Sequence, residues 1–133
     1  MAMLLLKTDD RNVGGVKKYA KHATDGIPQE ISAGDLLLIQ VTYASMVVPI
    51  SRIKYRMTFV RCYEDTTGEA AKIWGRSWRY IIEGKDLCTL RYPFDIDAVK
   101  VSTKNYGEGV IRYAYLDPAD ESQIRSSRHL DCV

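Results

Sequence analysis

A chain of 133 residues is one domain's worth of protein, long enough to bury a sizeable core without staples. Hydrophobic residues make up 46% and charged residues 27%, the balance of an ordinary globular protein, and no run approaches the roughly 18 apolar residues of a membrane-spanning helix. The net charge of +2 is too small to announce a nucleic-acid binder and does not exclude one, because a local basic face can hide in a near-neutral total.

In chain order, Met3 to Thr8 reads as a short, mostly buried strand, and the apolar run ahead of Lys7 is too short for a signal-peptide core. Asn12 can cap a helix over 13–22, with Val16, Tyr19 and Ala20 on one face and Lys17, Lys18 and Lys21 on the other. "ATDGIPQEISAG" is a turn-rich connection. Pro28 fixes φ there, Gly34 can take the positive φ of a tight turn, and Asp35 can hydrogen-bond the turn's backbone. Leu36 to Ala44 then reads as a strand buried on both faces, or as one strand of a small barrel. Pro49 to Tyr63 alternates like a long strand, "EDTTGEAAK" reads as a polar reversal, and short strands are expected near 73–74, 78–82, 87–92 and 96–101. Val110 to Leu116 fits a last strand or a helical turn, and Asp117-Pro118 opens a terminal helix through about Arg125. Residues 1–125 thus form a single domain, with 126–133 expected as a flexible tail. The expected class is α+β: a curved sheet or small β-barrel flanked by short helices, with the strands near 36–44 and 53–63 paired.

Cys62, Cys88 and Cys132 are isolated, odd in number and not in CxxC spacing, so they read as structural thiols of a reducing, cytoplasmic compartment. Two separated histidines, His22 and His129, support neither a metal centre nor a Ser-His-Asp device, and "NVGGVKK" has no phosphate-loop pattern. No metal and no cofactor are expected.

"LLLKT", "DGIP", "ISAGDLLLIQVT" and "RYPFDIDAVKV" occur in this chain in an order that resembles EVE-type domains of the PUA-like superfamily. The resemblance spans roughly residues 3 to 120 and is carried by motifs near 26–42 and 91–101, including Tyr92-Pro93-Phe94-Asp95-Ile96. It implies a PUA-like fold and a non-catalytic domain that reads a modified or flipped base of DNA or RNA in an aromatic-lined pocket. Some such domains serve prokaryotic defence against modified DNA, with a separate nuclease or ATPase effector as partner. Where these domains usually carry tryptophans, this chain has Leu4 or Leu5 and Asp25, and Asp95 replaces a usual basic residue. An aromatic cage would therefore be built from other rings, or the ligand differs.

Tyr43 and Ser45, at the end of the strand launched by "SAGD", can reach a pocket mouth, or serve as a barrel aromatic and a turn hydroxyl. Asp25 can accept from a base amino group. Trp74 and Trp78, four apart among Lys72, Arg76 and Arg79, suit stacking on bases, or one of them is core; Gly75 beside Trp74 favours Trp74 as the ligand ring. Arg52, Lys54 and Arg56 fall on one strand face by period two and fit contacts along a phosphate backbone, or a solvated edge. Two other classes remain open. One is a small hydrolase of the ASCH-like kind acting on a modified nucleoside, with Lys7, Thr8 and Glu64 or Glu83 as nominees; the other is a protein-interaction module.

Overall fold

The computed structural model describes residues 3–29, 31–43, 50–95, 113–116 and 118–133. The segments 44–49 and 96–112 lie outside them, so Ser45 and the strand expected at 96–101 receive no structural account. Six strands form one curved, mixed sheet: β1 (Met3–Asp9), β2 (Lys21–Thr24), β3 (Leu36–Tyr43), β4 (Ile50–Glu64), β5 (Tyr80–Phe94) and β6 (Tyr113–Tyr115). Their spatial order is β2-β5-β4-β3-β1-β6. Short helices flank it: α1 (Val13–Tyr19), α2 (Glu69–Trp74) and α3 (Pro118–Ser126), followed by a 3-10 turn at Arg128–Leu130. The class is α+β with a curved sheet, as the alternation and turn signals predict.

β3 is the centre of the molecule. Residues Leu36 to Val41 are all buried, because β1 pairs with β3 in parallel on one side and β4 in antiparallel on the other. The turn before it forms as its residues dictate. Gly34 sits at φ 96 and donates to the Phe59 carbonyl, while Asp35 Oδ2 accepts from Ser32 N at 2.9 Å.

The sheet buries both faces. On the first, Leu4, Leu6, Leu37, Ile39, Val41, Tyr55 and Met57 pack under Val16 of α1. On the second, Met3, Leu5, Leu36, Leu38, Ile53, Leu90 and Phe94 pack under Ile124 of α3. A third, smaller cluster of Ala23, Ala70 and Ile81 seats α2 at the β2–β5 end. Each fully buried Leu or Ile contributes about 1.5–3 kcal/mol, so β1 and β3 hold much of the stability.

Several expectations are corrected. The first helix ends at Tyr19, three residues early, because Ala20 turns into the left-handed region (φ 54) and Lys21 starts β2; Lys21 and His22 are strand residues. Asn12 makes no side-chain cap; Asp9 Oδ1 instead accepts from Arg11 N and Asn12 N. Residues 69–74, read as a reversal and a strand, form α2, with Asp65 accepting from Glu69 N and Ala70 N at its start. The two strands expected on either side of "EGKD" are one, β5, which absorbs the irregularity at Asp86 (φ 55).

The thiols also differ from the sequence reading. Cys88 and Cys132 form a disulfide across 44 residues, and only Cys62 is free. The inference of a reducing compartment from unpaired cysteines loses its basis. Residues 126–133, expected as a tail, lie against the sheet: Arg91 N donates to Asp131 O at 2.8 Å and Val133 N to Thr89 O at 2.9 Å. Among the described residues no helix is long and apolar enough to cross a membrane.

Candidate functional site

Trp74 and Trp78 meet at one small cavity, which Thr8, Asn12, Val16, His22 and Ala23 complete. Four elements build it: the end of β1, the start of α1, β2, and the α2–β5 connection. Thr8 and His22 are buried at 2% and 3% exposure, so its floor is polar although its walls are aromatic. Its volume is about 20 Å³. That is room for about one water or a methyl-sized group, and not for a whole base.

Local chemistry fixes the two rings differently. Trp74 ends α2, packs against both the first and third clusters, and donates Nε1–H to the Asn12 carbonyl at 3.1 Å. α1 comes this close because residue 15 is glycine. A Cβ there would stand 2.5 Å from Ile73 Cγ2 and 2.7 Å from Trp74 Nε1. Trp78 packs only against the third cluster and lies half-buried, with the Arg76 guanidinium 4.3 Å above its ring. Lys72, Arg76 and Arg79 beside it are exposed. The structure gives Gly75 a backbone role. That glycine is the left-handed C-cap of α2 (φ 75), and both rings are half-buried, Trp74 against two clusters and Trp78 against one.

An ionic network anchors α2 and with it the Trp pair. Lys21 Nζ lies 2.5 Å from Glu69 Oε2 and 3.8 Å from Glu83, the Tyr63 hydroxyl donates to Glu69 Oε1 at 2.7 Å, and Arg61 pairs with Glu83 at 3.1 Å. The hydrogen bond to Glu69 raises the Lys21 ammonium above its ordinary range, and the Lys21 contact lowers the Glu69 carboxyl. Burial, then the bond to Glu69, pushes the Tyr63 phenol up. Sequence reasoning missed this cluster, because Lys21 and Glu69 are 48 residues apart and neither lies in a motif.

The remaining nominees are scattered. Asp25 Oδ1 accepts from Arg79 N at 3.2 Å, tying the residue after Thr24 to the one after Trp78; it braces the site without lining it. Tyr43 shares the first face but does not line the cavity; its hydroxyl accepts from Lys54 Nζ at 2.5 Å, a bond that raises the Lys54 ammonium. Arg52, Lys54 and Arg56 do not share a face. An irregularity between Ile53 and Tyr55 sets Arg52 opposite Val41 and Arg56 opposite Leu38, residues of the two different cores. Arg52 pairs with Asp95 at 2.8 Å, and Arg56 Nε points at Cys132 Sγ at 3.3 Å.

Of the hydrolase nominees only Thr8 reaches the cavity. Lys7, one residue earlier on the strand, faces the other side with Gln40, and Glu83 is held by Lys21 and Arg61. Among the described residues no group of three His, Cys, Asp or Glu gathers as a metal site requires. No protein-family model matches the chain, and no curated protein matches it in sequence.

Proposed function

We propose that this is a non-catalytic nucleic-acid-binding domain that receives one unstacked base on Trp78, beside the cavity beneath it. The observation that carries this reading is the convergence of both tryptophans of the chain on one pocket, with the exposed Arg76 guanidinium 4.3 Å over Trp78. A base that displaces the Arg76 guanidinium stacks on the same indole face, a contact worth about 1–3 kcal/mol, while Lys72, Arg76 and Arg79 meet phosphates. The cavity of about 20 Å³ suits a methyl-sized substituent of that base, contributing roughly 1 kcal/mol of apolar contact. Selection of a modified base would then rest on filling that space. The motif resemblance to EVE-type domains points the same way, and Trp78 packs against one core cluster where Trp74 packs against two. A separate nuclease or ATPase would supply any chemistry.

The test is a panel of single- and double-stranded DNA and RNA oligonucleotides, each plain and base-methylated, titrated against tryptophan fluorescence. The reading predicts quenching that saturates, favours single strands or methylated bases, and weakens as salt rises. No fluorescence change with any member at low salt would end it.

A further inference from the structure

We propose that the Cys88–Cys132 disulfide is a redox-active latch, opened by a dithiol reductant, that releases the C-terminal segment from the edge of β5. This inference stands apart from the binding reading above and uses other residues.

Three observations carry it. The segment lies along the stretch of β5 that β2 does not reach, held by Arg91 N to Asp131 O, Val133 N to Thr89 O, the Leu90–Cys132 bridge, Leu130 against the second core, the His129 ring 4.3 Å from Phe94 and Arg128 over Tyr92. The disulfide is the covalent member of that set. Both sulfurs belong to half-buried residues, and Lys85, Asp86, Thr89 and Arg91 around them are exposed, so an incoming thiolate can reach the bond. Finally, Arg56 Nε lies 3.3 Å from Cys132 Sγ. A guanidinium there stabilises negative charge on that sulfur, which makes Cys132 the better leaving group.

The exchange follows from this placement. One thiolate of the reductant attacks Cys88 Sγ, forming a mixed disulfide and expelling Cys132 as a thiolate beside Arg56. The reductant's second thiolate then attacks its own sulfur in that mixed disulfide, closes a cyclic disulfide and releases the Cys88 thiolate. Two electrons pass to the protein, the reductant is oxidised, and the two new thiolates take up the protons the dithiol gave up. Freed of its cross-link, the short segment separates. Thr89 O and Arg91 N, on the stretch of β5 that β2 does not reach, then lose these partners.

The experiment uses the full chain, oxidised and after dithiothreitol, with thiol counting by alkylation in denaturant and hydrogen exchange of the native state. The oxidised protein should alkylate once, at Cys62, and the reduced protein three times. Reduction should speed exchange of the Arg91 and Val133 amides at least tenfold, through an opening that leaves the β3 and β4 core amides slower to exchange than these two. Cys132→Ser should reproduce the reduced pattern without reductant, and Arg56→Gln should slow reduction several-fold. Three thiols in the oxidised protein, unchanged exchange at Arg91 and Val133, or core amides opening in the same step would each overturn the latch. An unchanged reduction rate in Arg56→Gln would overturn Cys132 as leaving group.

Discussion

Gly14 and Gly15 are neighbours in the same seven-residue helix, yet replacing each by alanine should act in opposite directions. Helix propensity favours both changes by up to about 1 kcal/mol. Around Gly14 nothing lies within 4 Å of a new Cβ. At Gly15 the Cβ would meet Ile73 Cγ2 at 2.5 Å and Trp74 Nε1 at 2.7 Å, about 1 Å inside normal contact. Ile73 is β-branched and Trp74 is tied to the Asn12 carbonyl, so neither swings aside without moving α2. Overpacking of this kind costs about 1–3 kcal/mol. Because the propensity gain is common to both, the difference between the variants isolates that overlap. Gly14→Ala should melt at or above the wild-type temperature. Gly15→Ala should melt several degrees below Gly14→Ala, at roughly 3–5 °C per kcal/mol for a domain of this size. Gly15→Ala should also shift tryptophan emission, since Trp74 is displaced, while Gly14→Ala leaves it unchanged. Equal melting temperatures and identical emission would refute the close packing of α1 on α2, and with it the geometry of the cavity.

The ionic anchor of α2 gives a pH prediction with a defined sign. Glu69 is lowered below its ordinary 4.5, so its contribution is complete above that value and is lost as acid carries the pH through the folded value. Lys21 is raised above 10.5, so its contribution is complete below that and is lost as the pH rises past the folded value. Stability should therefore have a plateau at neutral pH, and Glu69→Gln should lose part of the acid-side slope in melts from pH 3 to 6; an unchanged slope would remove Glu69 from the account. Loss of the Cys88–Cys132 cross-link should destabilise the protein by up to about 4 kcal/mol for its 44-residue separation, read by urea unfolding of Cys88→Ser. Asp65→Ala should fray α2 by about 1 kcal/mol through its lost caps, seen as reduced stability with weakened tryptophan packing.

Local signals explain what was legible in the sequence. Gly34, Asp35 and the run from Leu36 to Val41 announced β3 because a positive φ and a fully apolar strand each have a narrow set of causes. The alternation from Ile53 to Phe59 announced β4, and Pro118 the last helix. What failed was decided by distant partners. The shared face of Arg52, Lys54 and Arg56 vanished because β4 carries an irregularity between Ile53 and Tyr55 in its pairing with both neighbours, which no residue of β4 signals alone. α1 stops at Tyr19 because β5 offers β2 a place to pair, and a seven-residue helix has little propensity to resist. Cys88 and Cys132 bond because the tail folds back onto β5, bringing their Cα atoms to 5.9 Å, a proximity that spacing in the chain cannot express. The site was half visible. Trp74 and Trp78 stand close in the chain and share the cavity, whereas their partners Thr8 and His22 arrive from β1 and β2 by sheet topology.

The measurement closest to the central claim pairs melting temperature with affinity for a methylated single-stranded oligonucleotide in wild type, Trp74→Ala and Trp78→Ala. Trp74→Ala should lose roughly 3 kcal/mol of stability, because its ring closes two clusters and holds the Asn12 carbonyl. Trp78→Ala should melt within a few degrees of wild type and bind about 5- to 150-fold more weakly, the equivalent of one lost base stack of about 1–3 kcal/mol. Unaltered affinity in a folded Trp78→Ala would contradict the account and move the binding surface away from this pocket.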